Sequence, residues 1–441
     1  MNKTSPRINR RRFLGLAGAA AAAPMIVPSH VLGRGLFPAP NSRITIGIVG
    51  WGMMGPGNTE NFMKEKDCRV VAACDLDKEA LQKAVDKING HYKNKDCKAY
   101  HDYREMMARP DIDAVMLAVP DHWHALTATE ACRQGKDVYG EKPLARTIVE
   151  QRAIVDAVHK HHRVWQTGSW QRSTSNFHKA AEIVRSGFIG KVKRVEVGLP
   201  EGHVDFKHTK DKCQVSDPPA RLDYDMWVGP SQMIPYMECR VHMNWRWHYN
   251  FGGGQLLDWV GHHLDIAHWG LGFDKIGPMT VEGTGEFPPR DAVWNTATKY
   301  RVEMDYPHDV HITIAGGHPD IKGGTKWIGA DGWIWVDRDN KMECSNPEWK
   351  KGADLPESVS YVHLYNSKNH QRNFLDCVKS RKGTITPVDV AHHSAIPGHL
   401  GLISMMVGRK IRWDWQREHI IDDEEANRML GREYRAPWRL A

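Results

Sequence analysis

The sequence predicts an α/β protein in which a parallel sheet with crossover helices is followed by a second domain built on a mostly antiparallel sheet. Up to about residue 165, short apolar strands alternate with helical segments, as parallel strands connected by helices do. These strands are apolar along nearly their whole length, which is typical of a sheet buried on both faces. From residue 166 onward the strands are longer and alternate apolar with polar residues, which favours an antiparallel sheet with one solvated face.

The first domain is expected over residues 43–165. A helical pattern covers residues 78–88, and Pro120 ends the third strand because proline cannot donate to a sheet. The expected strands of this domain are the short apolar runs 44–49, 69–74, 114–119 and 137–140.

The second domain is expected over residues 166–441. A helix is predicted over residues 176–186, because the glycine that follows is a common helix terminator. The charged segment 422–438 is helix-like. The expected strands are the segments 191–198, 297–304, 308–314 and 332–336.

Residues 1–42 are predicted to be an export signal and a linker, not part of the fold. The basic stretch Arg10-Arg11-Arg12 precedes Phe13-Leu14 and an alanine-rich run over residues 15–27. Basic residues followed by a mildly apolar run are the mark of a targeting segment, and the arginines resemble a twin-arginine motif. Asn9 stands where that motif usually has serine or threonine. The mature protein is therefore expected in the periplasm or another exported compartment.

The charge balance depends on this segment. The net charge is +7, but residues 1–34 hold six basic residues and no acid, so the remainder has a net charge of +1. The mature protein is therefore near neutral, and no nucleic-acid partner is predicted. No apolar run after residue 40 reaches the roughly 20 residues of a membrane span, so none is predicted in the mature protein.

A glycine fingerprint follows the first strand and opens a helix. Its first glycine permits a tight turn, its second lets a pyrophosphate approach the backbone, and its third lets helix and strand pack closely. The helix N-terminus supplies unpaired N–H groups for phosphates. This combination predicts a Rossmann dinucleotide-binding domain. The motif reads Gly50-Trp51-Gly52-Met53-Met54-Gly55.

Asp75 ends the second strand, 20 residues after Gly55. A carboxylate at this position accepts hydrogen bonds from ribose hydroxyls and repels a 2′-phosphate. The next residues are Leu76 and Asp77, with no arginine to neutralise such a phosphate. The predicted cofactor is therefore NAD and not NADP.

A second group of polar residues follows later strands. The segment Pro120-Asp121-His122-Trp123-His124 follows the third strand, and Glu141-Lys142-Pro143 follows the fourth. Both lie at the carboxyl ends of parallel strands, where ligands bind in such sheets. Further on, Asp258 and His262 follow three glycines and are four residues apart, so they share one face of a helix.

These motifs resemble those of the Gfo/Idh/MocA family of sugar and polyol oxidoreductases. The similarity covers nearly everything after residue 43, and the Glu-Lys-Pro motif together with the Asp-x-x-x-His pair is its most specific part. The resemblance implies a Rossmann domain followed by an α/β domain with a large, mostly antiparallel sheet. Because that sheet often forms dimer or tetramer interfaces in the family, a homo-oligomer is expected.

The resemblance also implies roles for individual residues. Lys142 would hydrogen-bond the reacting hydroxyl, Asp258 would orient it, and His262 would be the acid/base group. This agrees with the chemistry, because oxidising a secondary alcohol needs a hydride acceptor and a base, and histidine titrates near neutrality. The expected cofactor contacts are Gly50, Gly52, Met53, Met54, Gly55, Asp75, Pro120, Asp121, His124, Glu141 and Lys142. The expected substrate contacts are Arg172, Trp245, Arg246 and His262.

The remaining patterns leave some choices open. Trp245 and its neighbour Trp247 could line the substrate cleft or belong to the core, as tryptophans usually do. The pairs His122/His124 and His392/His393 come with no convincing third ligand, so no metal site is predicted. Eight cysteines include no C-x-x-C pair, and no disulfide pairing follows from their positions.

Three functions are consistent with the sequence. The first is an oxidoreductase acting on a secondary hydroxyl of a sugar or polyol, with tightly bound NAD because a protein exported in the folded state carries its cofactor along. The second is an NAD-dependent glycoside hydrolase or lyase, which would use the same site through transient oxidation. The third is a non-catalytic binding protein, which the presence of Lys142, Asp258 and His262 disfavours.

Overall fold

The computed structural model describes residues 43–354 and 360–440. The predicted signal and linker over residues 1–42 lie outside the described residues. Within the described part, six parallel strands form the first sheet: β1 (Ile44–Val49), β2 (Cys68–Cys74), β3 (Lys98–Tyr100), β4 (Ala114–Leu117), β5 (Asp137–Gly140) and β6 (Trp165–Thr167). Their order is β3-β2-β1-β4-β5-β6, which is the order of a Rossmann sheet.

Helices alternate with these strands. The second of them begins where the Asp77 side chain accepts the backbone N–H groups of Glu79 and Ala80, which satisfies two of the donors left free at a helix start. The helices are α1 (Gly55–Met63), α2 (Lys78–Tyr92), α3 (Tyr103–Met107), α4 (His124–Arg133) and α5 (Ile148–Lys160). The predicted boundary between residues 165 and 166 falls inside β6.

The second sheet has nine strands among the described residues, in the order β13-β12-β11-β7-β10-β9-β8-β14-β15. Strands β7 and β10 are parallel neighbours and the other pairs are antiparallel. The predicted fold class is confirmed. The strands are β7 (Val192–Leu199), β8 (Thr280–Glu286), β9 (Lys299–Tyr306), β10 (Val310–Gly316), β11 (Gly324–Gly329), β12 (Trp333–Asp337), β13 (Lys341–Cys344), β14 (Ile411–Asp414) and β15 (His419–Ile420).

One face of this sheet is covered by helices. The central helix, Gly254–Leu271, is buried on nearly all sides, between the sheet and two neighbouring helices. It ends at Gly272, which has the left-handed backbone conformation (φ 76°). None of the described helices is long and apolar enough to cross a membrane. The described helices of the second half of the chain, not all of which contact this sheet, are α6 (Ser175–Arg185), α7 (Tyr224–Val228), α8 (Gly254–Leu271), α9 (His370–Ser380), α10 (Val388–Val407) and α11 (Glu424–Arg428).

The helix-like prediction for residues 422–438 is wrong beyond Arg428, where α11 ends. The following tail is held by individual side chains that dock on distant parts of the chain. Arg432 and Tyr434 bond to Glu150 at 2.8 and 2.6 Å, and Arg435 bonds to Asp225 at 2.7 Å. These long-range contacts replace the local hydrogen bonds that the charge pattern favoured.

Candidate functional site

A cleft lies at the carboxyl ends of β1, β2, β4 and β5, where ligands bind in a doubly wound parallel sheet. Trp245 and Arg246, two of the expected substrate contacts, line it as well. The expected cofactor contacts that line it are Gly50, Gly52, Met53, Met54, Asp75, Pro120, Asp121, Glu141 and Lys142.

The three fingerprint glycines are each required for a different reason. Gly50 has φ +93°, and a Cβ there would lie 2.4 Å from the carbonyl oxygen of Ala118. A Cβ on Gly55 would lie 2.2 Å from the carbonyl oxygen of Gly50, so it would push α1 away from the turn. A Cβ on Gly52 would meet no atom within 4 Å. This glycine faces open space, where a pyrophosphate can approach the backbone.

Asp75 holds the glycine turn in place. Its carboxylate accepts the backbone N–H of Trp51 at 2.7 Å and that of Asp77 at 2.9 Å. Burial raises the pKa of this carboxyl above its usual value, although these hydrogen bonds oppose the rise. The residue predicted to read the ribose therefore also fixes the loop that faces the phosphates.

The loop after β4 places its side chains differently. Asp121 is buried in the cleft wall, and burial raises its pKa to about 7. His124 does not line the cleft: its Nδ1 and Nε2 lie 2.7 and 2.9 Å from the carbonyl oxygens of Pro143 and Val119. It connects the two loops behind the cleft wall instead of facing the cofactor.

Lys142, Arg246 and Asp258 form a buried ion cluster. Lys142 Nζ donates to the backbone oxygen of Asp258 at 2.7 Å and to its Oδ1 at 2.9 Å. Arg246 Nε donates to the same Oδ1 at 3.0 Å. Burial opposes the ionisation of Asp258, but the two cations and their hydrogen bonds outweigh it and lower its pKa to about 2. The carboxylate is therefore charged, and it fixes the lysine at one end of the cleft.

His262 lies one turn along α8 from Asp258. Between them a Cβ on Gly261 would lie only 3.2 Å from Cβ of Lys142, so the lysine side chain crosses the helix where there is no side chain. Burial, with the charge of Lys142, holds the pKa of His262 well below its usual value. Its Nδ1 is buried with no hydrogen-bond partner among the described residues. The imidazole is therefore neutral at neutral pH.

Arg246 and Trp245 also line the cleft, and they come from the second half of the chain. The Arg246 guanidinium lies 4.4 Å from the ring centroid of Trp245. Trp245 is buried yet lines the cleft, so it serves both the core and the site. Trp247 is fully buried and does not line the cleft, so the two tryptophans of this segment have different roles.

Arg172 is not brought to the cleft. Its guanidinium is buried and pairs with Asp265 at 2.7 Å and with Asp274 at 2.7 Å, and it lies 5.1 Å from the ring centroid of Trp269. These contacts satisfy it inside the core of the second half of the chain. The expectation that it contacts substrate is corrected accordingly.

Sequence reasoning missed a segment that closes the cleft from the second half of the chain. Leu222, Trp227 and His242 line the cleft beside the glycine loop. Arg221 binds Asp77 at 3.0 Å, which ties the segment to the first sheet. No sequence signal pointed to this, because the two partners are 144 residues apart.

A disulfide joins Cys213 to Cys239 and cross-links this segment covalently. The pairing could not be derived from the sequence. Within residues 43–354 and 360–440, no group of three or more His, Cys, Asp or Glu residues is placed to hold a metal ion. His122 Nε2 lies 2.8 Å from the backbone oxygen of Trp227, so its ring and that of His124 serve different partners.

Two protein-family models match the chain. The model described as the NAD-binding Rossmann fold of an oxidoreductase family matches residues 44–169, and that of the C-terminal alpha/beta domain of the same family matches residues 173–440. The chain belongs to the Gfo/Idh/MocA oxidoreductase family. Its first sheet and helices are an NAD-binding Rossmann domain, which confirms the predicted cofactor.

Similar sequences include proteins named for a glycosidase family. The chain is 34% identical over 125 residues to "Glycosyl hydrolase family 109 protein 2" of Shewanella sp. (strain ANA-3), covering 28% of this chain and 27% of that protein. It is 30% identical over 171 residues to a "Glycosyl hydrolase family 109 protein" of Shewanella baltica (strain OS155), covering 35% and 37%. The matches thus span about a third of these relatives.

Solved structures share the fold over most of the chain. The WlbA dehydrogenase of Chromobacterium violaceum, in complex with NADH and UDP-GlcNAcA, has a TM-score of 0.64 at 16% identity, covering 86% of this chain and 99% of that one. The aldose-aldose oxidoreductase of Caulobacter crescentus, complexed with glycerol, has a TM-score of 0.60 at 17% identity, covering 84% and 99%.

Proposed function

We propose that this protein oxidises a secondary hydroxyl of a sugar or polyol with tightly held NAD. The observation that carries the proposal is that Lys142, which lines the cofactor cleft, pairs with Asp258 one helical turn from His262. Bound NAD supplies the hydride acceptor. The chain then needs to bind the alcohol, orient it and take one proton, and these three residues have the chemistry for those tasks.

In this proposal, His262 accepts the hydroxyl proton. Its low pKa keeps it neutral before the reaction. Lys142 donates a hydrogen bond to the substrate oxygen, and the Asp258 carboxylate fixes the direction of that donor. Because the cluster is buried, these charges interact more strongly than they would in water. The Lys142–Asp258 pair is thus preorganised to stabilise the alkoxide that develops on the substrate as the proton leaves.

The sugar or polyol class rests on the fold's relatives and on the cleft itself. Solved structures with this fold include an aldose-aldose oxidoreductase and a myo-inositol 2-dehydrogenase. In this chain the indole of Trp245 lies in the cleft beside Arg246. An aromatic face next to a hydrogen-bond donor suits a ring that has both C–H and hydroxyl groups.

The retention of the cofactor can be tested directly. The segment tied by Arg221 to Asp77 covers the cleft beside the glycine loop, so NAD should dissociate slowly. The purified protein is denatured, and the released NAD(H) and NADP(H) are measured by mass spectrometry. About one NAD per chain is expected. A protein that is empty and also fails to bind added NAD at millimolar concentration would contradict the proposal.

A second candidate is an NAD-dependent glycoside hydrolase, favoured by the family 109 relatives. It would use the same residues, with oxidation at one carbon, elimination of the leaving group and final reduction. Chromogenic glycosides distinguish the two candidates. Release of the aglycone with no net NADH favours the hydrolase, whereas net NADH from a free sugar favours the oxidoreductase.

We also propose that the chain is exported by the twin-arginine route and forms a homo-oligomer. A disulfide at Cys213 and Cys239 fits an oxidising compartment. Fractionation of cells that express the full chain should place it outside the cytoplasm, and replacing Arg10 and Arg11 with lysine should retain it inside. Light scattering of the purified protein measures the oligomer, and a mass of one chain would contradict that part.

A further inference from the structure

A single arginine beside His262 differs from the other cations of the site. Arg338 follows β12, and its guanidinium lies 4.2 Å from the ring centroid of Trp259 and 5.0 Å from that of Trp170. The same two indoles lie 5.5 and 6.3 Å from the His262 ring. Arg338 is therefore held in a slot between two aromatic faces, next to the proposed base.

This guanidinium is fixed in place but not neutralised. Its Nε donates to Oε1 of Gln171 at 3.2 Å, and no carboxylate of the described residues lies within ion-pair distance of it. The adjacent Asp337 is engaged elsewhere: it accepts the backbone N–H of Arg338 at 2.7 Å and lies 3.5 Å from His263 Nε2. Burial lowers the pKa of Arg338 below its usual value, and the charges of Asp337 and Asp258 oppose this.

Other cations nearby are compensated. Lys142 and Arg246 share the Asp258 carboxylate, and Arg172 has two carboxylates of its own. A half-buried cation with no anion is unfavourable unless a ligand supplies one. The two terminal nitrogens of Arg338 make no hydrogen bond with the described residues, and they form the planar pair of donors that binds an oxyanion through two hydrogen bonds.

We propose that Arg338 binds an acidic substituent of the substrate, so that the substrate is an anionic sugar whose reacting hydroxyl is placed at His262. The inference rests on the proposed function of this site. The cofactor's own phosphates are not the anion in question, because they belong at the glycine loop around Gly52, and Arg338 is not among the residues that line that cleft. The acidic group is a carboxylate, as in a uronic acid, or a sulfate or phosphate ester.

The test measures binding to the holoenzyme by calorimetry, using matched neutral and acidic sugars. The probes are glucose with glucuronate, galactose with galacturonate, and the 6-sulfate and 6-phosphate of glucose. Arg338→Gln removes the charge, and Arg338→Lys keeps a point charge without the planar pair of donors. The control is Arg69→Gln, because Arg69 also lies over an aromatic ring, that of Tyr92 at 5.2 Å, but far along the chain in the Rossmann domain.

The wild type should bind at least one acidic sugar about tenfold or more tightly than its neutral partner, as expected for charge-assisted hydrogen bonds. Arg338→Gln should abolish that preference, Arg338→Lys should keep part of it, and Arg69→Gln should leave it unchanged. The acidic sugar that binds best identifies the oxyanion. Equal binding of neutral and acidic sugars, no binding of any acidic sugar, or a preference that survives Arg338→Gln would overturn the assignment.

Turnover measured in parallel separates this inference from the proposed function. If acidic sugars bind through Arg338 but the bound NAD is never reduced, the anion site stands and the oxidoreductase proposal fails. If neutral polyols are oxidised with a higher kcat/KM than acidic sugars, and Arg338→Gln changes the kcat/KM of neither, the oxidoreductase stands and the anion site fails.

Discussion

The two ends of the cofactor cleft are built on different physical principles. At the nucleotide end, shape comes from the backbone: Gly50 and Gly55 leave no room for a Cβ, and Gly52 leaves open space. At the chemical end, shape comes from charge, since the Asp258 carboxylate fixes both Lys142 and Arg246. The first end should therefore be sensitive to an added methyl group, and the second to a lost charge.

The largest effect is expected at the chemical end. His262→Ala and Lys142→Ala should each lower the rate of reduction of the bound NAD by roughly 10²–10⁴-fold, the usual contribution of a positioned proton-transfer group. NAD content should be unchanged in His262→Ala, because His262 does not line the cofactor cleft. Single-turnover absorbance at the NADH band measures this.

The exposed variants His159→Ala and Lys87→Ala are matched controls, since both residues lie on outer helix surfaces. If both His262→Ala and Lys142→Ala reduce the bound NAD at rates within a few-fold of wild type, the chemical end of the cleft does not depend on these charged groups.

The next effect concerns a charge cluster outside the cleft. Arg172→Met should lower the free energy of unfolding by about 3–5 kcal/mol, because it leaves Asp265 buried without its partner. Urea unfolding measures this. Arg301→Met, which breaks an exposed pair with Asp320, should cost about 0–1 kcal/mol. An Arg172 variant that raises KM at unchanged stability would instead restore its expected role at the substrate.

The glycines test the nucleotide end. Gly55→Ala should cost roughly 1–3 kcal/mol of unfolding free energy, since its Cβ would press on the Gly50 carbonyl. Gly52→Ala should change stability by less than about 0.5 kcal/mol yet weaken NAD binding, which calorimetry on the NAD-free protein measures.

Gly57→Ala, in the first turn of α1, is the matched control, because its Cβ would also meet no atom within 4 Å. It should alter neither property for the worse. If Gly52→Ala binds NAD as tightly as Gly57→Ala does, open space at Gly52 is not where the phosphates bind.

The last effect is a dependence on pH. The folded pKa of Asp258 is about 2, below the roughly 3.9 of an unfolded aspartate. The group therefore stabilises the fold above the unfolded pKa, and this contribution is lost as pH falls through the folded pKa. The difference in unfolding free energy between wild type and Asp258→Asn should shrink by about 2 kcal/mol between pH 5 and pH 2. A constant difference would show that the carboxylate is not stabilised by its cations.

The nucleotide end was predictable from the sequence because its determinants are local. Strand, glycines and Asp75 follow one another within about thirty residues, and backbone sterics demand each of them. The chemical end was predictable only in its principal residues, through motifs at Lys142 and on α8. The placement of Arg172 and Arg338 was not, because each depends on tertiary contacts, with Asp265 for one and with Trp259 for the other.

The C-terminal tail shows the same limit. Its charges fit a helix by local pattern, yet Arg432 and Tyr434 bind Glu150, which lies some 280 residues earlier. Likewise, His124 is spaced like a cofactor contact but is used to connect two loops. Local spacing indicates which residues are near a site, whereas competition among distant hydrogen-bond partners decides how each one is used.

The contact between Arg221 and Asp77 can form only late in translation, because the two residues are 144 positions apart. The glycine turn leaves the ribosome long before Trp245 and Arg246, which are nearly 200 residues further on. At roughly 5–20 residues per second, that interval is about 10–40 s. During this interval the nascent Rossmann domain has its phosphate-binding turn, but the wall of the cleft that contains Trp245 and Arg246 has not been synthesised. The full affinity for NAD can therefore arise only after that wall has been synthesised and has folded back.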